Sequence, residues 1–119
     1  MTAIVVWYIN IVMNTKFTFT DEEFIFVINL ILKLDAPLGE EYIPVQSLED
    51  RVDMGRLDSL GMIILFVWLS HLFGISEDQF QTCIRQGNLT IQRIKEFVIA
   101  NCTKNCTLDD VKEYAKRCI

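Results

Sequence analysis

Five stretches of this chain read as helices, three of them from apolar residues at helical spacing, and each is opened by a residue that caps helices well. Phe24, Val27, Ile28, Ile31 and Leu32 fall on one face, which predicts a helix from just after Thr20 to about Leu34. Thr20-Asp21-Glu22-Glu23 is a capping box, and Phe19 with Phe24 supplies a hydrophobic staple around it. Phe26 and Leu30 make the apolar face wider than a surface helix needs. Asp35-Ala36-Pro37-Leu38-Gly39 then breaks the helix. From Glu40 to Arg56 no helical period is sustained, so a long ordered loop is expected, tied down by Ile43, Val45, Leu48 and Val52. Structureless loops of that length are uncommon unless functional.

The second predicted helix, Ser59 to Phe73, is of a different kind. Met62 to Leu69 is an unbroken apolar run, so this helix is hydrophobic all round and must be covered on more than one side. Gly74 is a natural stop. A short helix should follow Ser76, where Ser76-Glu77-Asp78-Gln79 is another capping box, and Gly87-Asn88 should turn the chain. Ile91, Ile94, Phe97 and Val98 predict a helix after Thr90, ending near Asn101. Leu108, Val111, Tyr114, Ala115 and Cys118 predict a last one after Thr107. The pattern is all-α.

Only the first thirteen residues break it. Ile4 to Val12 are mostly β-branched or aromatic, which favours an extended segment. The stretch lacks a basic start and a small-residue cleavage site, so it does not read as a signal peptide, and it is too short to span a bilayer. Met13-Asn14-Thr15-Lys16 also reads as a natural start, which would make Met1 to Val12 extra sequence.

Composition narrows the classes. At 119 residues the chain is one domain, and a hydrophobic fraction of 51% implies a rich core or an apolar surface awaiting a partner. A net charge of −5 with scattered basic residues argues against nucleic-acid binding, which needs clustered Lys and Arg. Cys83, Cys102, Cys106 and Cys118 are a weak metal signal, because only Cys118 and the distant His71 could complete a site around Cys102 and Cys106. Reduced thiols in a cytoplasmic protein are the expectation, and the Asn-x-Thr triplets at Asn88, Asn101 and Asn105 then carry no glycans. His71 reads as a polar edge residue, since no second catalytic group lies near it in sequence.

The candidate chemistry sits where the loop enters the second helix, at Asp58-Ser59-Leu60. A serine in the first turn of a helix stands beside unpaired N–H groups and the positive end of the dipole, which favour an attached phosphate. Downstream, Leu69, Phe73, Gly74 and Ile75 close the helix, and Thr90, Ile91, Ile94 and Phe97 open a later one; upstream stands the acidic Leu48-Glu49-Asp50. In this order, over Asp21 to Asn101, the chain resembles the acyl and peptidyl carrier proteins. The resemblance implies a small four-helix acyl-carrier-protein-like bundle over residues 20–102, preceded by the apolar strip of residues 1–19 and followed by an additional helix in residues 103–119. It implies 4'-phosphopantetheine carried covalently on Ser59, with Asp58 capping the helix and Leu60 tucking the turn against the bundle. The implied partners are a phosphopantetheinyl transferase and acyl-loading and acyl-transfer enzymes. The implied role is delivery of thioester intermediates in fatty-acid, polyketide or peptide assembly, with no catalysis of its own.

One departure stands out. Family members usually carry acids after the motif and along the second helix, where basic partners dock; here those places hold Gly61, Ile64, Ser70 and His71. Docking is accordingly expected through Gly61, Ile64, Trp68 and His71. The cover over the rest of the apolar helix stays open between the N-terminal strip, the C-terminal helix, a second copy in a homodimer and a partner's apolar groove. Two other readings remain beside the carrier: an unmodified interaction module docking through its second helix, and a small peripheral membrane protein.

Overall fold

The computed structural model describes residues 17–35, 43–53 and 56–117. The strip Met1 to Val12, the breaker residues Ala36 to Gly39 and Cys118 lie outside the described residues. Within them the chain is all-helical: α1 (Asp21–Asp35), α2 (Ser59–Phe73), α3 (Glu77–Gln86), α4 (Ile91–Asn101) and α5 (Leu108–Arg117). Extended pairing among these residues is limited to two isolated bridges, Phe17 with Cys106 and Arg51 with Thr90.

The helix starts follow from local chemistry. At α1 the Glu23 carboxylate accepts the Thr20 N–H at 2.9 Å while Thr20 Oγ1 accepts the Glu23 N–H at 3.2 Å. Ser76 and Gln79 repeat that reciprocal pair at α3, and Thr107 with Asp110 repeats it at α5. Each arrangement satisfies backbone donors that a helix start otherwise leaves orphaned. Thr90 Oγ1 takes the Arg93 N–H at α4. There the loop contributes too: Asp50 O accepts the Ile91 N–H at 2.9 Å and Leu48 O the Gln92 N–H at 2.8 Å. The loop before α2 is thereby fixed to the start of α4.

α2 lies against α1, α3 and α5. Its covered faces are tied to neighbours by aromatic contacts. Phe66 meets Phe80 of α3 at 4.9 Å between ring centroids, and Phe80 meets Phe97 of α4 at 5.0 Å. Phe73 packs against Phe17 and Phe19, at 5.8 and 5.6 Å. Phe17 also lies 5.8 Å from Phe24, so it wedges into the staple expected of Phe19 and Phe24 alone. Phe19 therefore belongs to the core and the partly buried Phe17 packs against it, although the sequence places both in the N-terminal extension. At the other end of the chain, α5 packs on both α1 and α2, burying Val111 and Ala115.

The loop is held by polar contacts as much as by apolar ones. Val45 and Val52 are buried and Leu48 partly so, as expected, but Ile43 is exposed. Asn29 of α1 clamps Val45 from both sides, its amide donating to Val45 O at 2.9 Å and its carbonyl accepting the Val45 N–H at 2.7 Å. Arg56 spreads its guanidinium over the carbonyls of Ile43, Pro44 and Arg51. Ile43 contributes a backbone carbonyl to the loop, and its side chain stays in water.

Candidate functional site

Ser59 is the first residue of α2 and is exposed, between exposed Asp58 and Leu60. Asp58 is the N-cap: its backbone is extended and its Oδ1 accepts the Gly61 N–H at 2.8 Å, while its carbonyl takes the Met62 N–H at 2.9 Å. Among the described residues the Ser59 and Leu60 N–H groups have no protein acceptor. Two donors, the positive end of a fifteen-residue helix and an accessible hydroxyl thus meet at one point. A phosphate ester on Ser59 would sit where those donors can solvate it.

The segment leading to this point is braced by ion pairs and caps. Asp50 accepts the N–H groups of Gln46 and Ser47, which lower its pKa, and the Arg56 guanidinium 3.8 Å away lowers it further. Arg51 grips Asp53 with two donors, at 2.9 and 2.8 Å, and holds that carboxyl below its usual range. These acids work within the loop itself.

Only part of the docking set expected from sequence faces outward. Gly61 is buried at the first turn, Ile64 is half-buried, and Trp68 is only 6% exposed. Tyr114 of α5 covers Trp68 edge-on at 4.8 Å, so Gly61 and Trp68 are not available to a partner in this state. The covering element is the C-terminal helix. His71 is exposed but stacks on the same Tyr114 at 4.3 Å, about 18 Å along the helix from Ser59. The open residues are Leu60, Ile63 and Val67, at 64%, 56% and 41% exposure, on one face beside Ser59. A register anchored on Ser59 would have found Ile63 and Val67, four and eight residues on. Hydrophobicity could not, because every face of α2 is apolar.

The far end of α2 is closed. Gly74 takes the left-handed conformation at φ 65°, and its N–H returns to Ser70 O. The α4–α5 linker then supplies donors to three further carbonyls: Thr103 and Lys104 N–H to Phe73 O, Thr103 Oγ1 to Gly74 O, and Lys104 Nζ to His71 O. A groove of about 320 Å³ opens beside this linker, lined by His71, Lys104, Asp110, Glu113, Tyr114 and Arg117 among others. Lys104 and Asp110 in it are engaged locally, and it does not include Ser59.

Cys83, Cys102 and Cys106 are buried. Burial pushes the Cys106 thiol up to about 11 and raises Cys83 as well, so neither is a ready nucleophile. Among the described residues, no group of His, Cys, Asp and Glu side chains is gathered to hold a metal ion, and no helix is long and apolar enough to cross a membrane.

No protein-family model matches the chain, and no curated protein or solved structure matches it either. The functional reading rests on the residues themselves.

Proposed function

We propose that this protein is an acyl or peptidyl carrier, bearing 4'-phosphopantetheine on Ser59. The observation that carries the reading is the exposed Ser59 hydroxyl at the start of α2, behind an Asp58 cap and beside two N–H groups that have no acceptor among the described residues. The residues fit the group: the serine is exposed, and the open helix start suits a phosphodiester. Bound there, the arm would supply a thiol able to hold acyl groups as thioesters. Asp58 orders the first turn and keeps one carboxylate oxygen free of the Gly61 N–H, within reach of a metal brought by the attaching enzyme. The braced loop holds Asp58 and Ser59 in one presentation, and the chain itself catalyses nothing. Delivery within the cytoplasm to enzymes of fatty-acid, polyketide or peptide assembly is the role that follows.

Intact mass after incubation with a phosphopantetheinyl transferase and coenzyme A tests this. Wild type should gain one arm and Ser59→Ala none. Equal labelling of both proteins, or of neither by several transferases, would sink the reading. The exposed Leu60, Ile63 and Val67 favour a second reading, an unmodified interaction module, which the absence of any mass gain would leave standing.

A further inference from the structure

We infer that the groove between the end of α2 and α5 binds a free α-amino acid, its carboxylate on Arg117 and its ammonium on Glu113. The inference stands apart from the carrier reading, since the groove does not include Ser59. The first argument is charge. Both signs line this groove, Lys104 and Arg117 against Asp110 and Glu113. A simple anion would face two carboxylates there, and a simple cation would face an ammonium and a guanidinium. A dipolar ligand meets each sign with its opposite, the complementarity by which polar sites select partners. The second argument is which of these groups can turn to a ligand. Asp110 takes the Thr107 N–H at 2.9 Å and Lys104 Nζ donates to His71 O at 3.1 Å, so these two brace the groove. Glu113 meets Lys116 at 3.4 Å with both side chains mostly exposed, and such a pair is worth little. Arg117 makes no ion pair with any described residue.

The third argument is spacing. Glu113 and Arg117 stand four residues apart on α5, which sets their Cβ atoms about 5–6 Å from each other. An α-amino acid carries its ammonium and carboxylate on one carbon, so its two charges fit between that acid and that base. The guanidinium fork of Arg117 matches a carboxylate in shape as well as in sign. Tyr114 lines the same groove and is held at 4.3 Å from the His71 ring and 4.8 Å from Trp68. That fixed aromatic wall suits a flat apolar side chain on the ligand. At about 320 Å³ the groove lies at the small end of ligand sites, which suits one amino acid better than a peptide.

The experiment titrates free phenylalanine into the full chain and follows backbone amide resonances. Shifts should centre on Lys104, Glu113, Tyr114 and Arg117, with a Kd of roughly 1 mM. N-acetylphenylalanine keeps only the anion and phenylalaninamide only the cation, so each should bind about tenfold more weakly, having lost one charged contact. Arg117→Gln and Glu113→Gln should each weaken free phenylalanine by about the same factor, with melting curves unchanged. Lys116→Ala, which releases Glu113, should bind at least as tightly as wild type, and Ser59→Ala should bind equally well. No shifts up to roughly 20 mM phenylalanine would overturn the site. N-acetylphenylalanine or phenylalaninamide binding as tightly as the free amino acid would show that one charge suffices, and would overturn the dipolar ligand. Binding that persists at full strength in both charge variants would place the ligand elsewhere and overturn the roles of Glu113 and Arg117.

Discussion

The two ends of α2 are built on opposite plans. At the rear, Ser70, His71, Phe73 and Gly74 all have their carbonyls engaged, three of them by the linker that leads into α5, and Phe73 is sealed by Phe17 and Phe19. At the front, one side-chain cap serves Gly61, two N–H groups have no acceptor among the described residues, and Leu60 is two-thirds exposed. A helix equally apolar along its length is thus an anchor at one end and an open surface at the other. Neighbouring segments create the difference. The rear receives an entire linker and the N-terminal aromatic pair, whereas the front, among the described residues, is met by the loop that delivers Ser59.

The largest test of this contrast compares Phe73→Ala with Val67→Ala. Phe73 is fully buried, and removing its ring should cost about 3–5 kcal/mol, since the surrounding rings cannot collapse into the gap. Val67, at 41% exposure, should cost far less, within about 1 kcal/mol. Denaturant midpoints at constant m-value measure both. Similar losses would mean that the front is packed as tightly as the rear.

Gly74→Ala comes next. Its φ of 65° disfavours any Cβ by about 1–2 kcal/mol, and the added carbon would press on Thr103 Oγ1 and lie 2.8 Å from Lys104 Cγ. A total near 2 kcal/mol is expected, with weakened cover over Trp68 because the same linker positions Tyr114. The readout is the thermal midpoint together with Trp68 fluorescence, whose environment should become more polar. A neutral substitution would show that the linker does not hold the rear of α2.

What the sequence could and could not reveal follows the same division. Helix starts at Thr20, Ser76, Thr90 and Thr107, and the stop at Gly74, were legible because each depends on partners within a few residues. The exposed start at Ser59 was legible for the same reason. The choice of which side of α2 stays open was not, because an all-apolar helix carries no directional signal. Tyr114, more than forty residues away in sequence, decides it by covering Trp68. The Asn29 clamp on Val45 and the reach of Arg56 to three carbonyls are likewise tertiary, and that is why the loop's polar bracing was missed and Ile43 was wrongly expected to help tie it down.

Asp58 offers a smaller effect at the front. Losing a capping carboxylate usually costs about 1 kcal/mol, so Asp58→Ala should lower stability by that amount, while Asp58→Asn should retain most of the cap. Amide exchange at Gly61 would report the change locally, with protection lost in the alanine variant and largely kept in the asparagine one. Unchanged Gly61 exchange in Asp58→Ala would mean the carboxylate is not the operative cap.

The smallest expected effect is the most discriminating. Ser59 is the first helical residue; its hydroxyl is exposed, and Asp58 already performs the capping that a serine one position earlier would have performed. Ser59→Ala should therefore shift stability by less than about 0.5 kcal/mol, since alanine is the better helix former and no contact is removed. Chemical denaturation of the unmodified protein measures it, alongside the same measurement on Asp58→Ala. A loss of 1 kcal/mol or more would place the hydroxyl in the folding of the first turn and give the serine a structural reason to be there. Stability equal to wild type, joined to complete loss of labelling, would leave modification as the function that Ser59 serves. The front of α2 would then be open because its chemistry requires access, and the rear closed because the fold has to hold somewhere.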